Sequence, residues 1–123
     1  MSDIKDFSVK NRMKALRYAV SGLAYVFKTQ HAMWFHSLTA SCVVLAGLYF
    51  HVSAADWRWL VLAITLVWGA EAMNTAVEIV CDAVSLEHHP LIGKSKDVAA
   101  GAVLVAGIGA VIIVSLVFST YLF

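Results

Sequence analysis

Charge is scarce in this sequence. Only 14% of its 123 residues are Asp, Glu, Lys or Arg, against 61% that are hydrophobic. A water-soluble domain of this size has too little interior to hide so much apolar surface, so the composition points to the bilayer as solvent. The charge that is present nearly cancels, at a formal +1, which argues against nucleic acid as a partner, since that needs a basic face. Cysteine is scarce too. Cys42 and Cys81 stand without a CxxC or any metal-ligand spacing and read as free thiols. Internal repeats and low-complexity segments are lacking. So is a secretory signal: the first 30 residues hold Lys5, Lys10, Arg12, Lys14, Arg17 and Lys28, with no apolar core or cleavage site, so the N-terminus should be retained.

The apolar residues that fill the chain are organised. Over residues 7–28, Val9, Met13, Leu16, Val20, Leu23 and Phe27 recur at offsets of three and four. Lys10, Lys14, Arg17 and Lys28 follow on an adjoining face. This pattern predicts an amphipathic helix lying in the headgroup region. Three apolar runs come next, at 32–50, 57–80 and 98–122, each close to the ~20 residues that cross a bilayer. Trp34, Tyr49, Trp57, Trp59 and Tyr121 mark their ends, as interfacial aromatics do. The expected fold is therefore an all-α membrane protein in a single domain, with a surface helix and three transmembrane helices. Lysine and arginine cluster before residue 31 and at Lys94 and Lys96, and are absent from "HVSAAD". By the positive-inside rule, the N-terminus and the link 81–97 should be cytoplasmic. Ala102, Ala106 and Ala110, with Gly101 and Gly109 beside them, form a line of small residues suited to close helix contact in lipid.

Against this background, "EAMNTAVE" at 71–78 stands out. At ~100° per residue, Glu71, Asn74, Glu78 and Asp82 share one helical face within about 80°. An ionised side chain at mid-bilayer costs roughly 2.5–3.5 kcal/mol even on the lenient insertion scale, so an intramembrane carboxylate is read as functional by default. Glu71 and Glu78 lie about 10 Å apart along the axis. That is too far for one carboxylate dyad and suits two tasks, one at a reacting hydroxyl and one at a cation. The link "CDAVSLEHHPLIGKSKD" concentrates Asp82, Glu87, His88, His89, Lys94, Lys96 and Asp97. Its "GKS" is not a P-loop, because His88 stands where that motif needs glycine and no strand precedes it. Carboxylates to hold magnesium, a lysine to meet phosphate and a base to orient an alcohol together make a kit for phosphoryl transfer. A lipid alcohol and ATP could meet at the cytoplasmic face.

At these residues the chain resembles the small bacterial diacylglycerol kinase and undecaprenol kinase family, from about Arg12 onward. "EAMNTAVEIVCDAVS" and "EHHPLIGKSKDVAAGAVL" carry the resemblance, with a weaker "GL" at 22–23. It implies a homotrimer of three-span subunits in the inner membrane, with active sites shared between neighbours. It implies Glu71 as general base for the lipid hydroxyl, Asn74 beside it, and Glu78 as a metal ligand for Mg2+ accompanying ATP. Lys14, Tyr18, Asp82, Glu87, His89, Lys96 and Asp97 fall at positions on the nucleotide side. One departure stands out: the family's second metal-binding glutamate is Gln30 here, a neutral amide that can coordinate but adds no charge. Ala32 and Trp34 replace an asparagine and an arginine often found nearby. Diacylglycerol and undecaprenol both present a primary alcohol at the same depth, and "EHHPLIGKSKDVAAGAVL" looks somewhat closer to the undecaprenol branch. The competing expectation is a small proton-coupled transporter built on the intramembrane glutamates, which would move its cargo without ATP.

Overall fold

The computed structural model describes residues 8–123, folded as α1 (Val9–Thr29), α2 (His31–Tyr49), α3 (Ala54–Val84) and α4 (Pro90–Leu122). No strand occurs among the described residues. Residue 7, where the sequence pattern starts the surface helix, and Lys5 lie outside them. Ser8 caps α1, its hydroxyl accepting from the Asn11 N–H at 3.1 Å. The apolar stripe of α1 is not covered by the other described residues: Val9, Met13, Leu16, Val20 and Leu23 are exposed, and Val26 is the buried residue of this helix. Such a face suits the bilayer surface. Helices α2, α3 and α4 are each long and apolar enough to cross a membrane.

The corner between α1 and α2 sets where α2 starts. Gln30 is extended there, at φ −112°, and its N–H donates to the Val26 carbonyl, closing α1. Trp34 Nε1 donates to the Phe27 carbonyl at 2.7 Å. The Phe27 ring meets Trp34 and Trp68 edge-on, with centroids 6.0 and 5.6 Å apart. This aromatic cluster, together with fully buried Met33, ties the corner to the middle of α3.

At its other end α2 closes with a Schellman motif. Val52 N–H bonds to the Gly47 carbonyl and His51 N–H to that of Leu48, with His51 in the left-handed region at φ 51°. Ser53 then caps α3, accepting from the Asp56 N–H at 3.1 Å. The chain's main core sits here: Val52, Leu60, Val117 and Phe118, with Phe50, Trp57 and Tyr121 against them. Gly47 lets the α3 indole approach. A Cβ at this position would stand 2.6 Å from Trp57 Cη2. Tyr121 ties α4 across, its hydroxyl donating to Asp56 Oδ2 at 2.6 Å and accepting from Ser53 N–H at 3.0 Å.

Two boundaries differ from the sequence pattern. Helix α3 covers 31 residues rather than only 57–80, and α4 begins at Pro90 rather than at 98. The link expected over 81–97 is thus non-helical only at 85–89. The reason is capping. His89 Nδ1 accepts from the Leu91 N–H at 3.1 Å, and Pro90 occupies the first turn of α4, where its missing N–H costs nothing. Apolarity marks where a helix meets lipid, whereas caps mark where it starts.

Candidate active site

The polar stripe of α3 is brought under cover by different neighbours at different heights. Glu71, Asn74 and Thr75 are the buried polar residues of the described chain, with Glu71 only 4% exposed. Glu71 faces α2, where His36 Nε2 lies 3.6 Å from its Oε2. Thr75 donates its hydroxyl back to the Glu71 carbonyl at 3.0 Å, which leaves its methyl for packing. One turn on, Asn74 Nδ2 donates to Glu78 Oε1 at 3.3 Å. Asn74 Oδ1 is buried and has no partner among the described residues. The reverse amide orientation would set oxygen against the carboxylate, so this assignment follows from the hydrogen bond. Above Glu78, Lys96 of α4 donates to Asp82 Oδ1 at 2.8 Å.

Two cavities flank the stripe. One of about 900 Å³ lies between α3 and α4 and is lined by Asn74, Met73, Val77, Leu91, Lys94 and Ala102, among others. The second, of about 710 Å³, is almost wholly apolar; it runs between α2, α3 and α4, with His36 and Trp68 on its wall.

Height relative to the bilayer follows from helix lengths. With 19 residues, α2 is roughly 28 Å long, about the thickness of the hydrocarbon. Glu71 stands level with His36, five residues inside the start of α2, so its carboxylate is roughly 8 Å below that end. Glu78 and Asp82 follow about two and three turns further along and stand beyond it. The first turns of α4, with Lys96, project with them. In that position the hydrogen bond with Asp82, aided by the charges of Asp82 and Glu78, pushes the Lys96 ammonium above lysine's ordinary range.

The remaining sequence-predicted residues are spread more widely. Lys14 is half-buried and Tyr18 exposed on α1. Gln30 sits at the α1–α2 corner, its side-chain amide donating to Thr29 Oγ1 at 3.4 Å. Glu87 is exposed in the short link, with its N–H bonded to Ser85 Oγ. His89 caps α4, and Asp97 is exposed one residue beyond Lys96. No three His, Cys, Asp or Glu side chains among the described residues lie close enough together to hold a metal ion. The oxygen donors at hand are the Glu78 carboxylate and the unpartnered Asn74 Oδ1. Both are hard ligands of the type magnesium takes.

Sequence reasoning did not single out His36 as a site residue. Its signal was present, as the one residue in the first apolar run among the acidic and basic types, and such groups inside a span tend to face a partner. Trp68 and Thr75 gave no comparable signal.

Fold and site together define a small helical membrane protein with a line of carboxylates running from buried Glu71 to the exposed Asp82–Lys96 pair. Residues 17–118 match the model of the prokaryotic diacylglycerol kinase family, and the chain belongs to that family. Among similar proteins are a diacylglycerol kinase of Synechocystis, 40% identical over 84% of this chain, and the undecaprenol kinase of Bacillus subtilis, 33% identical over 85%. The diacylglycerol kinase of Escherichia coli K12 is 32% identical over 81%. The match spans 59% of the Synechocystis protein and 85% and 82% of the other two. This places the chain among the lipid kinases of bacterial membranes.

Proposed function

We propose that this protein transfers the γ-phosphate of MgATP to the hydroxyl of a membrane lipid alcohol, diacylglycerol or undecaprenol, at the cytoplasmic face of the inner membrane. The observation that carries the reading is the continuity of the α3 stripe. It runs from a buried carboxylate, beside the histidine that lines an apolar cavity, to an exposed Asp82–Lys96 pair in reach of water.

Phosphoryl transfer asks mainly for positioning and charge stabilisation. The lipid hydroxyl approaches Glu71 from the hydrocarbon side, and the Glu71 carboxylate accepts its proton as the oxygen bonds to the γ-phosphorus and the bond from that phosphorus to the ADP oxygen breaks, releasing ADP. Asn74 holds Glu78 through its amide N–H groups and turns its carbonyl oxygen into the site. Glu78 and Asn74 Oδ1 would hold magnesium, with Gln30 contributing a neutral amide oxygen where relatives of the family carry a carboxylate. When bound, the metal neutralises phosphate charge. Lys96 exchanges its contact with Asp82 for the phosphate oxygens, and Asp97, Asp82, Glu87, His89, Lys14 and Tyr18 surround the nucleotide. Assembly as a homotrimer with shared sites is supported by the unused small-residue line. A Cβ at Gly101 or Gly109 would meet nothing within 4 Å in the single chain, which leaves that face for a neighbouring copy.

The test is phosphate transfer from labelled ATP to each lipid alcohol by purified protein in a bilayer, with the two lipids in competition. Glu71→Gln should lower kcat by about 10²–10⁴-fold, the usual weight of a general base, and largely spare nucleotide binding. Glu78→Gln should raise the metal concentration needed for half-maximal rate. Wild-type rates in both variants would remove these roles. Proton-coupled flux in liposomes without ATP would favour a transporter instead.

A further inference from the structure

Among the described residues, the ion-pair partner that another helix brings to the Glu71 carboxylate is His36. We propose that His36 is a positioning residue, donating its Nε2–H to Glu71 Oε2 and so aiming the other carboxylate oxygen at the lipid hydroxyl. The inference rests on the lipid kinase reading and deepens it.

Three observations converge on this pair. First, the two groups are close and covered: Nε2 and Oε2 are 3.6 Å apart, with side-chain exposures of 16% and 5%. Second, His36 Nε2 is buried and has no hydrogen-bond partner among the described residues. A buried N–H left unpaired is rare, and those that persist often belong to a site awaiting its working geometry. Among the described residues, no hydrogen bond engages the Glu71 carboxylate either. Third, the pair is placed by a rigid frame. Trp34 Nε1 bonds to the Phe27 carbonyl, and Phe27 packs its ring on Trp68, one turn before Glu71 on α3. This fixes the height of α2 against α3, and with it the level of His36.

A separation of 3.6 Å exceeds a hydrogen bond. Catalytic hydrogen bonds are often long in unliganded enzymes and tighten when substrate binds. A rotation of either side chain by a few tenths of an ångström closes this one. The neutral imidazole with its proton on Nε2 is the form that donates, and Nδ1 then carries the lone pair. A carboxylate free to turn would spend only part of its time facing the substrate. A donor on one oxygen removes that freedom, and the productive orientation is present before the alcohol arrives.

The experiment uses the full chain in lipid bilayers, comparing wild type with His36→Gln and His36→Leu. Glutamine keeps a neutral N–H donor at about the reach of Nε2, whereas leucine fills the space without one. His36→Leu should lower kcat about tenfold or more, equivalent to ~1.4 kcal/mol. KM for ATP and for the lipid alcohol should stay within about twofold. His36→Gln should recover kcat to within about threefold of wild type. Unchanged kcat in His36→Leu would overturn the proposal, and so would equal losses in both variants. An independent reading needs no turnover. In ¹⁵N-histidine-labelled protein, the resonance lost in His36→Gln identifies His36. Its Nε2 should be protonated and should shift in Glu71→Gln. An Nε2 signal indifferent to Glu71→Gln would sink the pairing. If wild-type protein transfers no phosphate yet that shift is present, the contact stands and the kinase assignment falls.

Discussion

At the end of the bundle around residues 50–60, polar groups are satisfied and apolar ones interlock. Tyr121 joins Asp56 to the Ser53 backbone, a Schellman motif closes α2, and Leu60 is wholly buried against Val117 and Phe118. Some ten residues further along the helices the pattern inverts. The buried side-chain atoms without partners among the described residues are His36 Nε2, Trp68 Nε1 and Asn74 Oδ1, and both cavities border this region. Proteins satisfy buried polar groups almost everywhere, so a cluster of exceptions beside covered carboxylates marks a place shaped for something other than stability. One end holds the helices in register so that the other can remain underpacked.

That contrast can be broken from either side. The largest effect is expected at the open end. Lys96→Met should lower kcat/KM for ATP by about 10²-fold, in the range of removing one donor that meets transition-state charge. The melting temperature in lipid should barely change, because an exposed ion pair contributes little. A matching loss of thermal stability would show that the Asp82–Lys96 contact is structural. Gly47→Ala should act at the closed end. With Trp57 in its way, the added methyl group should destabilise by about 1–3 kcal/mol, read as a lower unfolding midpoint in denaturant. The kcat of the remaining folded protein should stay close to wild type. Recovery of the midpoint on adding Trp57→Leu would confirm the clash as the cause. Tyr121→Phe should have the smallest effect, about 1 kcal/mol, the loss of its two hydrogen bonds to Asp56 and the Ser53 N–H at roughly 0.6 kcal/mol each in a membrane protein. If it instead altered phosphate transfer, the two ends would be coupled rather than independent.

The three membrane-crossing helices were legible as uninterrupted apolar runs, because the bilayer imposes one requirement on all of them. Their true lengths were not read from hydropathy, yet the marks were in the chain: Ser53 three residues before Asp56, and His89 before Pro90. The stripe of Glu71, Asn74 and Glu78 was legible because helical spacing alone brings those positions to one face, and the Asn74–Glu78 hydrogen bond is that spacing realised. The contact of His36 with Glu71 was not. It depends on the height of α2 against α3, which is set by the Phe27, Trp34 and Trp68 rings meeting across a corner. No period along one helix encodes that height. The capping role of His89 was likewise hidden, since a histidine in a charged stretch reads first as a ligand.

Helices α3 and α4, at 31 and 33 residues, far outlast the 19 residues of α2. Their surplus stands on the side of the short 85–89 link, roughly 12 Å of paired helix rising past the start of α2. It forms a rigid mast, with Glu71 below the level where α2 starts and Lys96 on the part that rises past it. If the proposed transfer takes place here, neither a greasy alcohol nor a multiply charged nucleotide has to leave its own solvent to meet the other. A thicker bilayer would drown the upper half of the mast and a thinner one would strand the lower half, so lipid chain length becomes a dial on this chemistry.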